Sequence, residues 1–136
     1  MPEDVKAFGM PAEKGRWIFV ALGLVINLCL GSVYSWSVFR KPLEAAFRIG
    51  ATESGLPFMI FLAFFALLMP PSGRLLERLG VKRVCMLGGV VVGVGWILAS
   101  LSPNIALLAL TYGVIAGSGV GIVYGGPIAA SARWFP

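Results

Sequence analysis

The 136 residues are 58% apolar and 12% charged with a mean hydropathy of +0.89, a balance that excludes a soluble domain of this length. Eleven Lys and Arg against six Asp and Glu leave a net charge of +5, which has to be read by location before any nucleic-acid partner is invoked. With no histidine and only Cys29 and Cys85, the usual zinc-ligand sets cannot be assembled, and a disulfide between cysteines at such different membrane depths is not expected.

Residues 1–16 read as a polar tail carrying Lys6, Lys14 and Arg16, and residues 17–136 as the transmembrane region. The first span, 17–39, is uncharged between Arg16 and Arg40 and is longer than the core of a signal peptide, so it is read as retained. It presents Asn27, Gly31 and Tyr34 at helical spacing, with Ser35 and Trp36 alongside. Pro42 follows Arg40 and Lys41 and marks a helix end. The second span, 54–72, ends near Pro70-Pro71, and the loop 73–83 carries Gly73, Arg74, Glu77, Arg78, Gly80, Lys82 and Arg83. The third span, 84–101, and the fourth, 105–132, lie in a stretch without charge between Arg83 and Arg133, broken only by Ser102-Pro103-Asn104. Each span is long enough for about 30 Å of hydrocarbon at about 1.5 Å per residue.

The fourth span contains GSGVGIVYGGP, residues 117–127. A nucleotide-binding glycine loop would follow a strand within a βαβ unit, and neither is present. Gly113, Gly117, Gly121 and Gly125 instead recur every fourth residue, a stripe over which a neighbouring helix can approach closely. Gly89 and Gly93 repeat that spacing in the third span, and Gly88 and Gly95 widen its small surface. Tyr124 lies near the glycine face, and its hydroxyl needs a partner away from lipid. Tyr34 and Tyr124 could bracket a small ligand near mid-membrane; hydrogen bonding to neighbouring helices or interfacial belts is the open alternative for both. Pro127 is expected to bend the fourth span.

Basic loops stay in the cytoplasm. Lys6, Lys14, Arg16, Arg74, Arg78, Lys82, Arg83 and Arg133 fall on one side, against Arg40, Lys41 and Arg48 on the other. The expectation is a multi-pass protein of the cell (inner or plasma) membrane with a cytoplasmic N-terminus and the Ser102-Pro103-Asn104 turn outside. The positive charge is a topology signal, and no nucleic-acid partner is expected. No acid, carboxylate pair or nucleophile-and-base arrangement lies inside a span, so the expectation is no enzyme, no catalytic residue, no cofactor and no metal.

The run from Gly73 through Glu77-Arg78 and Gly80 to Lys82-Arg83 resembles the signature loop between the second and third helices of the major facilitator superfamily, with Glu77 where aspartate is usual. The resemblance implies an all-α integral membrane fold and a conformational latch made by these residues. Residues 31–39, GSVYSWSVF, then Pro42-Leu43, GSGVGIVYG and the terminal ARWFP look like the oxalate/formate antiporter family, over about residues 16–136. That likeness implies exchange of small carboxylates by alternating access, with Tyr34 and Tyr124 matching site tyrosines and Asn27 and Trp36 added as substrate-binding candidates. The family has twelve spans in two six-helix halves, and four are present here. The implied protein is therefore a truncated N-terminal part, a fragment inactive alone whose partners are the lipid bilayer and the missing C-terminal helices. The other reading is a complete small four-helix protein that oligomerises through its glycine stripes, as a small exporter or a structural subunit. Small multidrug exporters match in span count, but residues 17–39 lack the membrane-embedded glutamate they use.

Overall fold

The computed structural model describes residues 6–7 and 10–134, with side chains over 15–130 and at 132. The remaining positions, including Phe135, Pro136 and the side chains of Lys6, Lys14 and Arg133, lie outside the described residues. A two-residue antiparallel ladder, β1 (Lys6–Ala7) with β2 (Met10–Pro11), precedes the helices. The first long helix is built from α1 (Ala12–Gly31), a 3-10 turn (Ser32–Ser35) and α2 (Trp36–Phe47). Next come α3 (Ala51–Leu79) and α4 (Val81–Ser100). The last long helix comprises α5 (Ile105–Leu108), a π-helical segment (Ala109–Ala116) and α6 (Gly117–Trp134). Four helical stretches, Gly15–Phe47, Ala51–Leu79, Val81–Ser100 and Ile105–Ala130, are long and apolar enough to cross a membrane.

The connections are too short for anything but antiparallel neighbours, so one end of the bundle carries Gly80 and the other carries Asn104. Arg48 closes α2 in the left-handed region at φ 53°, and Ile49 N–H reaches back to the Glu44 carbonyl at 3.2 Å. Gly80 alone separates α3 from α4; its φ of +79° favours glycine, and its N–H donates to the Leu76 carbonyl at 3.0 Å. Asn104 caps the last long helix, its Oδ1 accepting from Leu107 N–H at 2.8 Å.

The helices run further than charge and proline placement implied. Residues 73–79 are the last two turns of α3, and residues 81–83 open α4, so the expected loop 73–83 shrinks to Gly80. Pro42, Pro70 and Pro71 lie inside helices rather than ending them. A membrane helix carries proline because local adjustments and neighbouring groups re-satisfy the freed carbonyls. Next to the pair, Ser72 Oγ donates to the Met69 carbonyl at 2.7 Å.

The glycines of the last helix decide how the bundle closes. A Cβ on Gly117 would lie 2.8 Å from the Phe61 carbonyl oxygen, and one on Gly121 would lie 2.7 Å from that of Phe65. Gly113 faces Pro57 and Ile60, and Gly125 faces Leu76 and Ser72. The whole stripe therefore seats on α3, backbone close to backbone. A second seam joins the last long helix to α4, where Gly88 receives Val123, Gly95 receives Ala116 and Gly119 receives Val92. Gly89 and Gly93, expected to share in packing, face open space. The third helix uses the seven-residue spacing of Gly88 and Gly95 instead.

Core packing concentrates toward the Asn104 end. Trp36 stacks on Tyr112 with centroids 4.7 Å apart, and Tyr112 meets Phe61 at 5.0 Å. Val33, Leu108, Ala116 and Val120 complete that cluster. Offset ring contacts of this kind contribute about 0.5–1.5 kcal/mol beyond burial.

Candidate functional site: a tyrosine cleft between the first, second and fourth spans

Seating α6 on α3 leaves one side of α6 turned toward the first helix, where a cleft of about 100 Å³ opens. The first helix contributes Asn27, Leu30, Gly31, Val33 and Tyr34; α3 contributes Phe61, Leu62 and Phe65; α6 contributes Val120 and Tyr124. Three of the four substrate-binding candidates, Asn27, Tyr34 and Tyr124, thus border one space. Tyr124 is half-buried, and its ring meets Phe65 edge-on at 5.3 Å with planes at 90°. Tyr124 thus lines the cleft together with the exposed Asn27 and Tyr34.

Trp36 departs from the group. Its indole is buried in the aromatic cluster and its Nε1–H donates to the Ser54 carbonyl at 3.2 Å. Trp36 stands two positions beyond Tyr34, and residues two apart on a helix point to nearly opposite sides, so its indole turns to Ser54 of α3 while Tyr34 borders the cleft. Tyr112, which the sequence did not single out, is the third tyrosine and packs in the core against Trp36 and Phe61.

The chemistry on offer is neutral. Two phenols and one carboxamide can each donate and accept, and aromatic faces line the wall. No Lys or Arg lines the cleft, and among the described residues no three His, Cys, Asp or Glu side chains converge to hold a metal. At about 30 Å³ per water, the space matches a solute of a few heavy atoms and is below the ~300 Å³ at which drug-sized sites begin.

The polar cluster at the Asn104 end was also missed by sequence reasoning. Arg40 Nε donates to Ser54 Oγ at 2.9 Å, its guanidinium donates to the Ala51 carbonyl at 2.6 Å, and it pairs with Glu44 at 3.3 Å. Ser54 Oγ donates to Glu44 Oε1 at 2.6 Å. The four-residue spacing of Arg40 and Glu44 was the available signal, since such pairs meet on a helix surface.

At the Gly80 end, Gly73, Glu77 and Arg78 lie exposed on the last turns of α3, with Lys82 and Arg83 exposed on the first turn of α4. No ion pair joins Glu77 to another described residue.

Four antiparallel apolar helices, three of them lining a small aromatic cleft, define a multi-pass membrane bundle with room for a solute. The Major Facilitator Superfamily model matches residues 20–136, and the chain belongs to that superfamily of transporters. It is 32% identical over 124 residues to the uncharacterized MFS-type transporter YhjX of Escherichia coli (strain K12), covering 91% of this chain and 31% of that protein. The Oxalate:formate antiporter of Oxalobacter formigenes is 28% identical over 122 residues, covering 89% of this chain and 29% of the antiporter. Monocarboxylate transporter 3 of Mus musculus is 32% identical over 117 residues, covering 84% of this chain and 24% of its own length. The chain spans less than a third of each of these relatives.

Proposed function

We propose that these helices form part of a secondary active antiporter of small carboxylates, oxalate- or formate-like anions, working by alternating access around the Asn27–Tyr34–Tyr124 cleft. The observation that carries the reading is the convergence of two phenols and an amide on a small aromatic-walled space. Two of the relatives above are named for carboxylates, which supports the same substrate class. Neutral donors alone hold an anion weakly at membrane depth, because desolvating a carboxylate is costly without a cation. The charge compensation is therefore assigned to other helices of a longer transporter, and the 136 residues alone are expected to exchange nothing.

The glycine surfaces bear on the four-helix alternative. Gly113, Gly117, Gly121 and Gly125 are occupied within the chain by α3, so that stripe is not free to join copies. The test is labelled-oxalate exchange in proteoliposomes by a complete transporter carrying this segment, beside the 136-residue chain. Tyr124→Ala is expected to lower exchange by about tenfold or more, equivalent to about 1.4 kcal/mol of lost binding or transition-state stabilisation, with membrane content unchanged. Parental exchange by that variant, or oxalate exchange by the 136 residues alone, would sink the corresponding half of the proposal.

A further inference from the structure

The two halves of the first long helix rest on different neighbours. Its Asn104-end half, α2, lies against α3, whereas α1 lies against α6. The α2 half is pinned by directional bonds: Trp36 Nε1 to the Ser54 carbonyl, Arg40 to Ser54 Oγ and the Ala51 carbonyl, and Ser54 Oγ to Glu44. Ser54 is fully buried at the centre of that cluster. The α1 half meets α6 over small and apolar groups, with Gly23 set against Pro127, and it leaves Leu22, Leu24, Val25 and Leu28 exposed.

Between the halves the α-helical ladder is interrupted. Ser32–Ser35 is a 3-10 turn, Ser35 sits at ψ 2°, and Trp36 N–H bonds three residues back to the Val33 carbonyl. Ser32 Oγ donates to the Cys29 carbonyl at 2.6 Å, a back-bond of the kind that bends helices. A Cβ on Gly31 would meet nothing within 4 Å, so the turn is not wedged from the side. A 3-10 stretch inside a long helix marks a place where the two flanking segments can change angle.

We propose that Ser32–Ser35 is a hinge, that the Trp36–Arg40–Glu44–Ser54 cluster is its fixed anchor on α3, and that α1 is an arm whose swing opens and closes the tyrosine cleft. Asn27 and Leu30 ride on the arm, Tyr34 sits in the hinge, and Tyr124 and Phe65 stay with the glycine-seated pair α3 and α6. A small rotation at residues 32–35 therefore changes the distance from Asn27 to Tyr124 without disturbing the packed core. The functional meaning of this motion rests on the carboxylate-site reading; the motion itself does not.

The test uses paired spin labels on the chain in nanodiscs, in a Cys29→Ser and Cys85→Ser background. Labels at Val25→Cys and Leu67→Cys report the arm against α3, and labels at Val38→Cys and Met59→Cys report the anchored half. The arm pair is expected to show a distance distribution about twofold broader than the anchored pair, as local openings differ across a structure. Gly31→Ala should narrow the arm pair, and Ser54→Ala should broaden the anchored pair. Hydrogen exchange on the unmodified chain supplies a label-free reading, with amides 32–36 exchanging faster than those of α3 at the same depth. Equal widths for the two pairs, or exchange at 32–36 no faster than in α3, overturns the hinge. Adding sodium oxalate to the same label pairs placed in a complete transporter carrying this segment separates the two proposals. Narrowing of the arm pair supports both, whereas a broad distribution that oxalate leaves unchanged keeps the hinge and removes the cleft as a carboxylate site.

Discussion

Two glycines one helix apart make opposite demands on the same substitution. At Gly117 an added methyl would press on the Phe61 carbonyl at 2.8 Å and its Cα at 3.0 Å, and backbone cannot step aside as a flexible side chain can. Gly117→Ala is therefore expected to destabilise the bundle by about 1–3 kcal/mol, the range for overpacked interiors. At Gly89 nothing lies within 4 Å, and the same change removes only a helix-weakening residue. Gly89→Ala is expected to be neutral or to stabilise by up to about 1 kcal/mol. Denaturant titration of the two variants in detergent, followed by helix content, checks the contrast; equal effects would show that the α3–α6 approach is looser than these distances imply. Tyr124 depends on the same closeness, because the glycines that bring α6 onto α3 also bring its ring to Phe65.

At the level of elements, hydropathy made four spans legible because charge-free stretches of that length have few alternatives to crossing a bilayer. Their ends were less legible. A charge or a proline marks where a helix leaves the hydrocarbon or loses one bond, but the backbone keeps winding past both, as Pro42, Pro70, Pro71 and residues 73–79 show. What stops α3 is Gly80 at φ +79°, one of several glycines in the chain and indistinguishable by type from those inside helices. The lining of the cleft by Asn27, Gly31 and Tyr34 was legible, since steps of four and three residues keep side chains on one face even where Tyr34 falls in the 3-10 turn. Trp36 does not share that face, because it stands two positions beyond Tyr34, a spacing that points side chains to nearly opposite sides of a helix and that GSVYSWSVF already displayed. The choice of Gly88 and Gly95 over Gly89 and Gly93 was hidden, as it depends on where Val123 and Ala116 lie on the partner. The start of the last helix is a simpler case, because a single side chain serves an otherwise unpaired backbone donor there. Asn104→Ala removes the acceptor for Leu107 N–H and is expected to cost about 0.5–2 kcal/mol, whereas Asn104→Asp restores the cap. Thermal unfolding of both variants decides it; an alanine variant as stable as the parent would mean that other groups satisfy that turn.

For the molecule as a whole, the distribution of cations over the two ends is the strongest asymmetry. Arg74, Arg78, Lys82 and Arg83 cluster within the helical turns flanking Gly80, and Arg16 lies in the first turns of α1 at the same end. The Asn104 end carries Arg40, Lys41 and Arg48, of which Arg40 is engaged with Glu44, Ser54 and Ala51. Lys82 and Arg83 occupy the first turn of α4, where the helix dipole disfavours positive charge, so helix stability does not account for them. We propose that retention of basic segments on the cytoplasmic side does. The Gly80 end is accordingly expected to face the cytoplasm and the Ser102–Asn104 turn the outside. Single cysteines at Pro103 and Glu77, both exposed, test this in the background lacking Cys29 and Cys85. A membrane-impermeant maleimide should label Pro103→Cys in intact cells and Glu77→Cys only after permeabilisation. Neutralising Arg74, Arg78, Lys82 and Arg83 together should then blur or invert that pattern, because these charges and not the apolar spans set the direction of insertion. Labelling of Glu77→Cys in intact cells, with Pro103→Cys protected, would reverse the orientation and detach the Gly80 cluster from topology.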